Sequence, residues 1–231
     1  MESGVTPSVW STIAKYGIIN HSFEIAKQTL NDWGVKISVK RISSLTYRLG
    51  AEGLSIRNSK ILALERDLLS TNSQLKDKRV VISVDGGRTR IRTYQSNKIN
   101  LKTKRKKYTG EWIEPKLLTI YTVDERGKQY RKSARGQKRE ILSSQINYFS
   151  KREVKGLLNY DKIVQLKLPI GSGAVESLIR QARDLRLKGN GKFWLKENAE
   201  IILHSRCQWL SNSWDNFTNS ILTLRIYPAI S

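Results

Sequence analysis

The chain has 231 residues, enough for one large domain or two small ones, and 39 % of them are hydrophobic, with six Trp, so a packed core is expected rather than disorder. No apolar run nears the roughly eighteen residues of a membrane span, and the N-terminus has no basic start leading into an apolar block, so the chain reads as cytoplasmic. The 42 basic residues outweigh 20 acidic ones to give a formal charge of +22.

The excess is uneven. Residues 1–78 carry 11 basic and 7 acidic side chains, 79–139 carry 18 and 5, and 140–231 carry 13 and 8. The peak is "KTKRKK", Lys102 to Lys107. A field of this sign attracts a polyanion, and nucleic acid is the usual one. The single cysteine, Cys207, cannot form an internal disulfide and lacks the partners for zinc spacing, so any metal would be held by oxygen ligands.

In chain order, residues 22–33 place Phe23, Ala26, Leu30 and Trp33 at helical spacing, with Ser22 as N-cap and Gly34 as a left-handed stop. Ser38 caps a second helix ending near Gly50, with Val39, Ile42, Leu45 and Leu49 in one stripe. Its opposite face carries Lys40, Arg41, Ser44, Tyr47 and Arg48. Two short helices, the second with a basic face, resemble a helix-turn-helix in which Arg41 and Arg48 would reach DNA; an ordinary helical hairpin fits equally well. A further helix is expected over 55–70, which makes 1–69 a helical region and 70–78 a polar linker.

From Arg79 the period changes. "RVVISVD" reads as a buried strand, "GG" punctuates it, and "RTRIRTY" alternates like a strand with one wet face. A Lys-rich excursion (95–110) leads to a strand in "EPKLLTIYTVD", and "DERGK" turns into "QYRKS", for an antiparallel sheet of three or four strands. The remainder reads as helical: "SSQINYFSKREVKGLLNY", then the loop "LPIGSG", then "AVESLIRQARDLRLK" closed by "GNG", and a last helix "LKENAEIILHSRCQWLSN". Trp194, Trp209 and Trp214 fit core anchors better than base-stacking platforms.

Two acids stand out. Asp85 ends an apolar strand, where a ligand could meet it; an Asp-Gly turn residue is the competing reading. Glu176 follows Ser172 by four residues in the first turn of a helix, with Arg180 and Arg183 on nearly the same face as ion-pair partners. Together the acids suit phosphoryl transfer, in which two Mg²⁺ about 4 Å apart neutralise the entering and leaving oxygens. Nearby basic residues would then hold the DNA backbone: Arg88, Arg90, Arg92, Lys102, Lys104, Arg105, Lys106, Lys107, Arg180 and Arg183.

The segments "ISVDGGRTRIR", "EWIEPKLLTIYTVDERGK" and "LPIGSGAVESLIRQARDLRLKGNGKFWLKENAEIILHSRCQW" resemble insertion-sequence transposases of the Kra type. The resemblance spans most of residues 20–215. It implies an α/β chain: a helix-turn-helix-like region, then a ribonuclease H-like DDE core over 79–231 with an antiparallel sheet and C-terminal helices. It implies double-stranded DNA, the element's terminal repeats, as partner, admits self-association, and makes Asp85 and Glu176 the first and third catalytic, Mg²⁺-binding carboxylates. The second acid of the family, a strand-end Asp followed by Gly, has no counterpart. Asp124 and Asp161 lack that context, an internal deletion is inferred near Gln137–Arg139, and the chain's start looks shortened. Two carboxylates against four positive charges leave the second metal weakly held, so strand transfer is expected to be weak or lost.

Overall fold

The computed structural model describes residues 5–69, 75, 77–100, 103–125, 165, 167 and 172–226. Among these, the chain is mixed α/β with six helices and four strands. The expected hairpin turn after Glu125, the helix over 143–160, the inferred deletion, Asp161, most of the linker and Lys102 lie outside the described residues.

Helix α1 (Pro7–Ile19) starts with Pro at its first position after the extended Thr6, where a missing N–H costs nothing. It falls within the helical region expected over 1–69, and Trp10, Ile13, Ala14, Gly17 and Ile18, all buried, recur at helical spacing. Helix α2 (Phe23–Asp32) begins as expected: the Ile25 N–H donates to Ser22 Oγ at 3.1 Å. It stops at Gly34, whose φ of 79° lets Val35 N–H close back on the Leu30 carbonyl at 2.8 Å.

Ser38 caps α3 (Val39–Glu65), accepting from the Arg41 N–H at 3.2 Å. The helix does not end near Gly50; it runs unbroken for 27 residues and absorbs the helix expected over 55–70. Gly50 and Gly53 are packing residues here. A Cβ on Gly50 would lie 2.4 Å from Ile201 Cγ2, and one on Gly53 would lie 2.2 Å from Phe217 Cε2.

Four strands follow: β1 (Arg79–Gly86), β2 (Thr89–Ile99), β3 (Lys106–Ile113) and β4 (Lys116–Val123). They form two two-stranded antiparallel sheets rather than one meander: β2 with β3, and β1 with β4. The inner pair is in register from Thr89↔Ile113 to Tyr94↔Tyr108, then slips before Ile99↔Lys106.

Helix α4 comprises Gly173–Ile179, a π-helical stretch Arg180–Asp184 and a last turn Leu185–Leu187. It is closed through Gly189 and Gly191, both at positive φ. Helix α5 (Lys196–Leu210) is not the last, because α6 (Trp214–Ile226) follows.

The chain divides into two compact units. The first unites Met1–Leu54, Gly86–Lys116 and Leu178–Ser231. Its core is Trp10, Ile18, Leu30, Ile42, Leu45, Leu49, Ile91, Ile202 and Ile221, with Trp214 at 4 % exposure acting as the anchor expected of it. Polar ties cross this core: the Trp10 indole donates to the Leu45 carbonyl at 2.9 Å and the Trp214 indole to Ser11 Oγ at 3.1 Å.

The second unit, Ser55–Asp85 with Leu117–Ser177, contains β1 and β4. Thr119 Oγ1 donates to the Ser83 carbonyl at 3.5 Å, and Arg79 Nη1 reaches the Asp124 and Glu125 carbonyls at 3.2 and 3.0 Å. Strand β1 is not the buried strand its apolar run implies: Arg79–Ser83 are half-buried and Val84 is 55 % exposed. No helix among the described residues is long and apolar enough to cross a membrane.

An alanine inside a helix ordinarily beats glycine by about 1 kcal/mol. At Gly53 the methyl collides with Phe217, so Gly53→Ala is expected to lower stability by about 1–3 kcal/mol, read as a lower urea midpoint. A raised midpoint would show that α3 and α6 are not in close contact there.

Candidate functional site

Among the described residues, the densest charge sits at the tip of the β2–β3 hairpin. Asn100 organises the tip: its carbonyl accepts from the Lys104 N–H at 2.8 Å, its side-chain oxygen accepts from the Thr103 N–H at 3.1 Å, and its own N–H donates to the Arg105 carbonyl at 2.8 Å. Lys104 itself adopts φ 55°. Lys104, Arg105, Lys106 and Lys107 are all exposed, and exposure continues along β3 to Trp112. Turn chemistry thus holds four consecutive cations in water.

Below the tip, one hairpin face carries alternate residues of both strands. Arg90 stands opposite Trp112, Arg92 opposite Gly110, and Tyr94 opposite Tyr108. The Arg90 guanidinium lies 4.5 Å from the Phe193 ring centroid and 5.3 Å from that of Trp112, and Arg92 lies 5.2 Å from that of Tyr94. Phe193 reaches Tyr108 at 5.4 Å between centroids, across Gly110, where a Cβ would sit 3.5 Å from the Phe193 ring.

The hairpin is anchored at its base. On the edge of β2 away from β3, the Arg92 N–H donates to the Trp194 carbonyl at 2.8 Å and the Trp194 N–H donates to the Arg90 carbonyl at 3.0 Å. Ile91 and Thr89 point inward at 1 % and 2 % exposure. The expected alternation of a strand with one wet face is therefore present.

Other basic residues singled out from the sequence are placed differently. Arg88 is exposed between β1 and β2, and Arg180 is exposed in the π-helical stretch. Arg183 is not: it is 7 % exposed, donates from Nε to Thr89 Oγ1 at 3.2 Å, pairs with Asp184, and fills the space a Cβ on Gly87 would need. Its charge is spent inside the fold, which removes it from a DNA-facing set. On α3, Arg41 is exposed, whereas Arg48 is half-buried with its guanidinium 5.9 Å from the Trp10 ring centroid. Tyr47 is half-buried and edge-on to Phe23 at 5.6 Å, so only part of the expected polar face of that helix is open to water.

Asp85 is exposed near the end of β1, and Glu176 is exposed in the first turn of α4. Ser172 Oγ donates to Glu176 Oε1, four residues on, so this acid is held by the loop before the helix rather than by Arg183. The glycines after Asp85 have packing reasons of their own: a Cβ on Gly86 would lie 2.6 Å from Glu114 Oε1. Among the described residues, no group of three or more His, Cys, Asp or Glu is placed to hold a metal ion.

No protein-family model, no curated protein and no solved structure matches this chain. The sequence reading missed the aromatic members of the hairpin face, Tyr94, Tyr108, Trp112 and Phe193. Their signal was the two-residue spacing of Tyr108, Gly110 and Trp112 against Arg90, Arg92 and Tyr94, which has meaning only once the register is known.

Burial raises the Tyr47 phenol above its usual 10.0, against the opposing pull of the Arg186 and Arg92 guanidinium charges. The folded state therefore holds this proton more tightly than the unfolded one. Its contribution to stability is complete below pH 10 and is lost as pH rises through the raised value. In urea unfolding above about pH 10, Tyr47→Phe is expected to lose less stability with pH than the parent chain; equal losses would mean that Tyr47 ionises freely.

Proposed function

We propose that this chain is a DNA-binding protein of the insertion-sequence transposase type, working in the cytoplasm, that holds DNA through the β2–β3 hairpin and has weak or no strand-transfer activity. The observation that carries the binding half is the hairpin tip, where Lys104 to Lys107 stand exposed without a gap. Cations placed this way neutralise phosphates and release counterions, which gives affinity without sequence preference. Arg90, Arg92 and Arg88 lie on or beside the same hairpin and extend the basic path; Arg180 and Arg41 are further exposed cations in the same reading.

The transposase half rests on motifs: "ISVDGGRTRIR", the "GSG" loop with Glu176, and the order of helices, strands and helices. In this reading the strands and the helices after them are a reduced ribonuclease H-like core, and Asp85 and Glu176 are its remaining acids. Both carry the hard oxygen ligands that magnesium prefers. Two carboxylates compensate only half the charge of two Mg²⁺ ions, and among the described residues no group of three or more His, Cys, Asp or Glu is placed to hold a metal. A two-metal site is therefore not part of the proposal, and no catalytic step is assigned to one. A chain that occupies element ends without cutting them would compete with an intact enzyme.

Two measurements test this. Incubated with terminal-repeat DNA and Mg²⁺ or Mn²⁺, the chain is expected to bind but to leave the strands intact. Robust cleavage abolished by Asp85→Ala would refute the impairment. Replacing Lys104, Arg105, Lys106 and Lys107 with Gln is expected to weaken every duplex alike and to flatten the log K against log salt slope by about 3–4. An unchanged slope would remove the hairpin tip from the interface.

A further inference from the structure

Resting on that DNA-binding reading, we infer that the aromatic face of the β2–β3 hairpin is a binding site for unpaired bases, so that the preferred ligand is single-stranded DNA or a duplex end with a frayed strand. Electrostatics alone does not distinguish one DNA form from another. The face below the charged tip does, because it is built from rings.

Trp112 is 60 % exposed, Tyr108 43 % and Tyr94 41 %. Large rings left this open, three on one face of one hairpin, need a reason, since each loses apolar burial by staying in water. In register, Arg90 faces Trp112, Arg92 faces Gly110 and Tyr94 faces Tyr108, so rings and guanidinium planes share the one face. Arg90 is fixed from two sides, by Phe193 at 4.5 Å and Trp112 at 5.3 Å. Phe193 in turn contacts Tyr108 at 5.4 Å. The planes are therefore held in place before any ligand arrives, which lowers the ordering cost of binding.

Bases of a duplex cannot use such planes, because their faces are stacked on each other. Unpaired bases can, and base–aromatic stacking tolerates any sequence. Lys104–Lys107 above the face and Arg90 and Arg92 within it supply the complementary charge for the sugar–phosphate strand. Rings for bases beside cations for phosphates is the combination by which single strands are held.

The test uses the full chain with a fluorescein-labelled single-stranded oligonucleotide and a blunt duplex of the same sequence, at one salt concentration. Trp112→Ala is expected to weaken single-strand binding about tenfold and the duplex less than twofold. Trp112→Phe is expected to recover most of the loss, and Tyr108→Leu to reproduce part of it. The unfolding midpoint of each variant checks the fold, since Arg90 keeps Phe193 when Trp112 is removed. A 2-aminopurine base in the single strand reports stacking directly, and its fluorescence is expected to fall on binding to the parent chain and not to Trp112→Ala.

Tight duplex binding with no change in either DNA form for Trp112→Ala would overturn this inference and leave the DNA-binding reading standing. No binding of either DNA would overturn both. Stronger binding to a single-stranded RNA of the same sequence than to DNA would overturn the choice of DNA as ligand.

Discussion

Two buried guanidinium groups hold the first unit together. Arg206 is 1 % exposed and donates to the carbonyls of Ile18, Ile19 and Gln181, the Ile19 contact at 3.1 Å. Arg186, 2 % exposed, donates from Nη2 to the Gly17 carbonyl at 3.1 Å and lies 4.4 Å from the Phe23 ring centroid. The last carbonyls of α1 have no partner within their own helix, and Arg206 also reaches the Gln181 carbonyl in the π-helical stretch. A buried carbonyl without a donor costs about 1–3 kcal/mol. Burial pushes both guanidinium groups down to about 10, so each is still charged at neutral pH. The N-terminal and C-terminal thirds of the chain are thus joined by charge-assisted bonds, and the hairpin depends on them. Trp194, which holds β2 by its backbone, donates from its indole to the Leu187 carbonyl at 3.1 Å, one residue beyond Arg186.

This explains how much of the fold was legible. Local signals were read correctly where a single residue decides a backbone conformation, as at Ser22, Gly34, Ser38 and the glycines after Leu187. They failed where a residue's role lies in what packs on it. Gly50 looks like a helix stop, yet it is the small surface against which Ile201 and Ser205 fit, so α3 continues. The helix end expected near Gly50 falls with it, and α1, whose buried stripe opens on a proline, carries no such single-residue signal. Pairing β1 with β4 around an inner hairpin is a nonlocal choice that strand patterns cannot reveal.

The candidate site was legible to the same degree. The charge peak was evident in the sequence, and turn chemistry at Asn100 places it at a hairpin tip. Arg183 looked like its neighbours in the basic set, but the close approach of Gly87 makes it a core residue. The formal +22 is therefore not one surface field. Arg183, Arg186 and Arg206 are consumed as internal donors, Arg48 lies against Trp10, and among the described residues the cations left in water are densest on the hairpin. Buried arginines that build the scaffold and exposed ones beside aromatic rings on a rigid strand pair are two uses of one side chain.

Locating the bound strand decides the account. Single-stranded DNA bearing 4-thiothymidine can be photo-crosslinked to the full chain and the crosslinked peptides identified by mass spectrometry. The account predicts crosslinks within residues 89–113, with Tyr94, Tyr108 and Trp112 foremost. Crosslinks confined to the peptides of α2 and α3, with none on the hairpin, would contradict it.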